Sequence, residues 1–299
     1  MVWTGTHEYA LLTLLVTGGT TSSPQWARSQ AGTARVAVLS VSMSGGGISG
    51  QQLREVLGAA VTDALTPLAA ADRQCAACVQ LLDVDGASIS FIDGGTTQGT
   101  FGSSGQLSRT LDELQFTYGL GPCLEAVAQR RPVLAPDLNH LGDDRWPGLT
   151  EAILGHGIRA VFALPVAVAG APIGALDLFR RSSGPLQDAA MTGSMWAAGL
   201  AALPLLDLMT SDTDWQRAAE GQGSWEQLAS LERVEVYQAT GMIIAALGVT
   251  PADALVRLRA HAISHGLTAS DVAYQILSRR IVLDSDDWHD TGSKAQGAT

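Results

Sequence analysis

The sequence predicts an α+β domain, an antiparallel sheet with flanking helices, followed by an all-α domain of three helices. Three observations carry this. Between residues 51 and 210, apolar segments meet in pairs at tight turns, Asp85-Gly86 and Ala169-Gly170-Ala171, and alternate with stretches of helical spacing. From about Ser224 onward the spacing is helical throughout. Within that last block, Thr250-Pro251-Ala252-Asp253 and Thr268-Ala269-Ser270-Asp271 each read as a helix start, with Thr as N-cap and an acid three residues on.

Taken in order, Ile48 to Thr66 is a helix by the recurrence of Leu53, Val56, Leu57, Ala60, Val61, Ala64 and Leu65, and Pro67 marks its end. Cys78 to Asp83 fits strand or helix; the Asp85-Gly86 turn favours strand, paired as a hairpin with the alternating run Ala87 to Asp93. A further extended stretch is expected near Thr97 to Gly102. Leu107 to Phe116 and Cys123 to Gln129 are helical, Pro132 to Ala135 is a short strand, and Trp146-Pro147-Gly148 opens a helix ending at Gly155 to Gly157. Two strong strands follow, Arg159 to Val168 and Pro172 to Phe179. A helix over Asp188 to Leu208 should be kinked or shortened by Pro204. The last three helices are expected at Ser224 to Leu247, Thr250 to His265 and Thr268 to Ile281, with Gly248 and Gly266 as breaks.

Composition narrows the function. At 299 residues and 46% hydrophobic the chain builds ordinary globular cores, about two by length. A formal charge of -11 does not advertise a nucleic-acid binder. Every basic residue except Lys294 is Arg, which fits a GC-rich genome. The apolar run Tyr9 to Val16 is too short to cross a bilayer and lacks a basic leader, and no other membrane candidate is evident. Three cysteines, Cys75, Cys78 and Cys123, make no disulfide framework and fit a reducing cytoplasm.

Other motifs read blandly. Cys75-Ala76-Ala77-Cys78 is one CxxC without a second pair, among small and apolar neighbours, so both are expected in the core, with a redox pair, joined by Cys123, as the alternative. His261 and His265 have the spacing of a zinc-protease helix, but Ala262 stands where the general base belongs. Gly45 to Gly47 lacks the strand and the Lys-Ser/Thr pair of a phosphate loop. Asp143-Asp144 and Asp286-Asp287 read as solvated charges. Trp196, Trp215 and Trp225 fit an apolar seam between domains or chains. Gly241 lies inside a helix, where glycine costs about 1 kcal/mol against alanine, so close approach of another helix or of an RNA backbone is expected there.

Two family resemblances emerge. Val236–Ile244 (VYQATGMII), Ala252–Ala262 (ADALVRLRAHA) and Asp271–Arg280 (DVAYQILSRR) resemble an ANTAR domain over about Leu228 to Ile281. Asp85–Ser90, Leu114–Cys123 (LQFTYGLGPC), Pro132-Val133-Leu134, Arg145-Trp146-Pro147 and Gly174–Leu178 are similar to the GAF domains that precede ANTAR in actinobacterial proteins. The resemblance implies a GAF-type antiparallel sheet with flanking helices, then a three-helix ANTAR domain. It implies a signal-responsive regulator that binds paired hairpins of nascent RNA and acts by transcription antitermination, often as a homodimer.

The chain accordingly divides into a disordered or mis-assigned N-terminal extension at 1–47 (with Met43 as an alternative start), a GAF-like sensor at 48–210, a helical linker at 211–227, an ANTAR domain at 228–282 and a disordered acidic tail at 283–299. Candidate RNA contacts are Tyr237, Gln238, Gly241, Arg257, Arg259, His261, Arg279 and Arg280, because arginine and histidine grip phosphates and Tyr237 can stack on an unpaired base. Arg257, His261 and His265 form one stripe, and Arg259 lies on a neighbouring face. Residues 230–281 hold five arginines against four acids, a weak charge bias. Thr240 stands where many ANTAR domains carry a basic residue. The expected partners are RNA, a small molecule bound by the sensor and a second copy of the chain, in the cytoplasm, with no metal, cofactor, membrane or enzymatic role. The alternatives are a GAF sensor with a protein-binding helical output, and a GAF-type methionine sulfoxide reductase using its three cysteines.

Overall fold

The computed structural model describes residues 50–62, 64–142, 145–210, 233–283 and 288–290. The linker expected at 211–227, Trp215, Trp225, Asp143, Asp144, Asp286, Asp287 and the start of the helix expected over Ser224 to Leu247 lie outside these residues, as does the N-terminal segment 1–47.

A five-stranded antiparallel sheet of order β2-β1-β5-β4-β3 organises the first domain. Its strands are β1 (Gly86–Asp93), β2 (Thr96–Ser103), β3 (Val133–Ala135), β4 (Ala160–Val168) and β5 (Ala171–Arg180). Alternation sends Phe162, Leu164, Leu176 and Leu178 to one face, where they pack on α1 (Gly50–Thr62), α2 (Pro67–Leu81) and α6 (Asp188–Thr210). Val161, Ala163 and Phe179 point to the other face, beneath α3 (Gln106–Tyr118) and α5 (Leu149–Gly155). Helix α4 (Pro122–Gln129) covers Ile92 and Ala175 on that same face.

The first hairpin differs from the sequence expectation. Cys78 to Leu81 is the last turn of α2, not a strand, and β1 pairs with β2 through Gly94 and Gly95. Both glycines have positive φ, as a two-residue hairpin turn of this hand requires. Pro67 does not merely end a helix: it is the first residue of α2, with the Thr66 hydroxyl accepting from the Ala69 N–H at 3.2 Å. Cys75 and Cys78 then fall on the helix face that packs into the sheet and are fully buried, as small core residues.

Pro204 does not stop α6, which runs 23 residues through it. The stretch Asp188–Asp207 is long and apolar enough to cross a membrane by length and composition, with mean hydropathy 1.4, which corrects the expectation that no stretch beyond Tyr9 to Val16 is a membrane candidate. Here it lies on the sheet: Ala197, Ala201 and Leu205 are in the core, and Gln74 on α2 donates to the Ala197 carbonyl.

The second domain is α7 (Val234–Leu247), α8 (Pro251–Ser264) and α9 (Ala269–Leu277). The expected caps are present. Thr250 accepts from the Asp253 N–H, and Thr268 and Asp271 form a reciprocal capping box. The third helix ends at Leu277 rather than Ile281, because Arg279 takes φ +57° and turns the chain into a two-stranded sheet of β6 (Ile281–Leu283) and β7 (Trp288–Asp290). The tail predicted to be disordered therefore contributes a strand. Val236, Ala239, Ile243, Leu258, Ala262, Val272 and Ile276 form the core of this domain, and Phe116 of α3 completes it. From Gly47 onward the chain clusters as one compact unit.

Candidate nucleic-acid interface and sensor site

Eight residues of the helical domain are the sequence-derived RNA contacts, and the structure does not gather them on one open face. Arg257 is exposed on α8. His261 and His265, one turn apart, stack with ring centroids 4.1 Å apart; the His265 Nδ1 lies 2.8 Å from the His261 carbonyl. Burial, with the neighbouring His265 charge adding to it, pulls the His261 pKa down. Arg279 and Arg280 are exposed beyond α9, with the Arg280 guanidinium 5.7 Å from the exposed Tyr274 ring. Gln238 and Gly241 are exposed on α7. The helix packing expected at Gly241 is not found among the described residues, where a Cβ there would meet nothing within 4 Å. Thr240 is nearly buried, with its hydroxyl donating to the Val236 carbonyl at 2.7 Å.

Tyr237 and Arg259 turn toward the sensor instead. The Tyr237 hydroxyl donates to Gln98 Oε1 on β2. The Arg259 guanidinium sits 4.6 Å from the centroid of Phe116 on α3, and Arg233 approaches the same ring at 4.0 Å. Burial pulls the pKa of both guanidiniums down. For Arg233 the Asp112 charge opposes that fall; for Arg259 the Arg233 charge adds to it.

In the sequence Arg233 is one charge among five and nothing more. In the fold it is nearly buried, with Nη2 donating to Asp112 Oδ2 at 2.8 Å and Nη1 paired with Glu113. The start of α9 binds the same sensor helix. The Ala269 N–H donates to the Thr117 hydroxyl at 3.0 Å and the Ser270 N–H to Glu113 Oε1 at 3.2 Å. Gly119 ends α3 at φ +66°, a backbone conformation that favours glycine, and a Cβ there would lie 2.9 Å from Arg259 Nη1, which would have to shift.

Beneath this junction lies a buried polar cluster of the sensor, on the sheet face covered by α3 and α4. Asp112 is fully buried and also accepts from the Ser90 hydroxyl and, at 2.7 Å, from the Thr100 hydroxyl. Asp177, opposite Ser88 in the β1–β5 register, accepts from Gln115 Nε2 at 2.6 Å. Gln115 Oε1 accepts from the Cys123 N–H at 2.8 Å. Burial pushes the Asp177 pKa up to about 7; the Gln115 bond opposes this and the Asp112 charge adds to it. Asp177 Oδ1 and Ser88 Oγ are buried without a hydrogen-bond partner among the described residues. Such atoms are where a bound polar molecule would satisfy the site.

The cysteines are poor nucleophiles here. All three are buried free thiols. Burial pushes Cys78 up to about 12 and raises Cys75 and Cys123 well above the ordinary thiol value. Among the described residues no three His, Cys, Asp or Glu side chains converge as metal ligands.

No local pattern marks Asp112, Glu113, Phe116 and Thr117 as an interface. The one available signal is that an Asp-Glu pair interrupts the apolar spacing of α3, one turn before the LQFTYGLGPC segment ends that helix.

Comparison with known proteins divides the chain in the same way. Residues 64–194 match the family described as GAF domain, and residues 227–277 match the family described as ANTAR domain. None of the curated proteins matches. Similar solved structures include the GAF domain of a phosphoenolpyruvate-protein phosphotransferase from Acinetobacter, 9% identical, covering 54% of this chain and 94% of that one with a TM-score of 0.41. The corresponding GAF domain from Coxiella burnetii is 13% identical, with coverage of 55% and 96% and a TM-score of 0.42. The free methionine-R-sulfoxide reductase from Neisseria meningitidis, in complex with its substrate, is 16% identical, with coverage of 52% and 90% and a TM-score of 0.40.

Proposed function

The chain carries a GAF domain followed by an ANTAR domain, and from that architecture we propose a signal-responsive regulator that binds hairpins of nascent RNA and acts by transcription antitermination. The ANTAR match across α7, α8 and α9 is the observation that carries this reading. The GAF half supplies the sensory input, and the unpartnered Asp177 Oδ1 and Ser88 Oγ support a polar small molecule as its ligand.

Arg257, Arg279 and Arg280 are the contacts the surface supports best, because they are exposed and arginine forks onto phosphate. Tyr274, 60% exposed beside Arg280, joins them as a stacking surface for an unpaired base. Gln238, Gly241 and His261 complete the contact set on α7 and α8, and Tyr237 and Arg259 take part once they leave the sensor. The output is non-enzymatic, consistent with buried, high-pKa thiols. A homodimer is supported by Met195, Leu203 and Leu206, apolar residues that α6 leaves exposed. A role on nascent RNA implies the cytoplasm, and the near-exclusive use of arginine fits a GC-rich genome.

The test is binding of the full chain to a tandem-hairpin RNA over a salt series. Affinity should fall steeply as salt rises, and Arg257→Ala with Arg280→Ala should flatten that slope by about one unit for each phosphate left without its arginine. Absence of binding at every salt concentration, both in the wild type and in a Phe116→Ala chain whose contact with Arg233 and Arg259 is broken, would overturn the proposal.

A further inference from the structure

Four residues on one face of α3 meet the ANTAR helices, and each meets a group suited to RNA. Asp112 and Glu113 hold Arg233. Glu113 also takes the Ser270 N–H, and Thr117 takes the Ala269 N–H, at the start of the nine-residue helix α9. Guanidinium groups and the free N–H groups of a helix N-terminus are the usual donors to a phosphate. Phe116 lies between Arg233 and Arg259, 1% exposed, where a flat ring is held by two cations. Unpaired bases are held by arginine in the same way. Buried Nε atoms of both arginines have no hydrogen-bond partner among the described residues, so the sensor does not use their full donor capacity.

We propose that the Asp112–Thr117 face of α3 occupies part of the RNA-binding surface of the ANTAR domain, its carboxylates standing in for phosphates and Phe116 for a base, so that RNA and the sensor helix exclude each other. This rests on the reading of the helical domain as an RNA binder. The arrangement described here is then the closed form, in which Arg233, Arg259 and the start of α9 are withheld from RNA, while Arg257, Arg279 and Arg280 stay open for a weaker encounter. The closed form also ties the ANTAR domain to the sheet, because the carboxylate that holds Arg233 is the one that holds Ser90 on β1 and Thr100 on β2. A ligand that reorganises these strands would act on the ANTAR domain through Asp112.

The experiment compares the full-length wild type with Phe116→Ala and Glu113→Gln for binding to a tandem-hairpin RNA at one fixed salt concentration, with hydrogen exchange at Ala269 and Ser270 as a second readout. Phe116→Ala changes no charge, so a gain in affinity cannot be an electrostatic artefact of the substitution. Glu113→Gln keeps the shape of α3 should the loss of Phe116 prevent folding. Each variant should bind RNA on the order of tenfold more tightly than the wild type, the size of a typical coupling between two sites, with faster exchange at the two amides. Equal or weaker RNA binding in variants whose amides exchange faster overturns the inference and leaves the RNA reading intact. Absence of RNA binding in all three proteins overturns both.

Discussion

Phe116 of the sensor and Arg259 of the ANTAR domain lie 4.6 Å apart, ring centroid to guanidinium carbon, and with Arg233 at 4.0 Å on the same ring they join the two domains. The ring is part of the ANTAR core cluster although it is carried by a GAF helix. Apolar burial and the attraction of cations to the ring act together there, with Phe116 and Arg233 buried and Arg259 partly exposed. Such a contact is worth about 0.5–1 kcal/mol at an exposed site and about 2 kcal/mol when desolvated.

Phe116→Leu retains apolar volume and removes the ring. The full chain should lose about 1–3 kcal/mol of stability in urea denaturation, and the loss should be smaller in an Arg259→Ala background, since the partner is already gone. Identical losses in both backgrounds would show that Arg259 contributes nothing through the ring.

Asp112 is the most exacting position of the junction. Replacement by alanine leaves the nearly buried Arg233 with Glu113 as its remaining carboxylate and strips Ser90 and Thr100 of their acceptor. Breaking a buried ion pair from one side costs about 3–5 kcal/mol. Asp112→Asn, which keeps one acceptor oxygen, should cost less. Thermal unfolding of the two variants gives the order; asparagine as harmful as alanine would mean that charge, not hydrogen bonding, governs the site.

These relationships explain what the sequence reveals and what it hides. The caps at Thr250 and Thr268, the Ala169-Gly170 hairpin and the breaks at Gly248 and Gly266 are local chemistry, decided within four or five residues, and are legible. The run Cys78 to Asp83 is not: a short apolar segment suits the last turn of a helix and a buried strand equally, and the decision comes from Thr66 and Pro67 a dozen residues earlier. Arg259 can be assigned to a face of α8 but not to what covers that face. The pairing of Asp112 with Arg233 spans 121 residues and is set by how the two domains dock, which no periodicity encodes. Exposed arginines such as Arg257 and Arg280 are legible as surface charge, because that needs no partner.

Gly119 is a position where a methyl group should act on both domains. The left-handed backbone disfavours any side chain by about 1 kcal/mol, and the added Cβ would lie 2.9 Å from Arg259 Nη1. Gly119→Ala should therefore destabilise the chain by about 1–2 kcal/mol and displace Arg259 from Phe116. Hydrogen exchange along α8 should rise with it; a change confined to the end of α3 would mean that the arginine accommodates the methyl group.

The pH dependence of stability should carry the signature of Asp177. Its carboxyl is raised in the folded protein to about 7, chiefly by burial, whereas an unfolded aspartate has its ordinary pKa near 4. Between those values the folded state holds a proton that the unfolded state has released, so stability must fall as pH rises through this window. The contribution is fully present below about pH 4 and is lost by about pH 7. Other carboxylates slope the opposite way: burial would raise Glu125, but the bidentate contact from Arg145 outweighs it and holds the carboxyl below its usual range, which adds stability that is fully present above the unfolded pKa and is lost as pH falls through the folded one. The two are separated by Asp177→Asn, which still accepts from Gln115 Nε2 but cannot ionise. Denaturation from pH 4 to pH 8 should show the variant gaining on the wild type as pH rises to about 7 and keeping a constant lead beyond it. Parallel curves would mean that Asp177 is ionised in the fold throughout, and that its unpartnered Oδ1 is solvated by water rather than left open for a ligand.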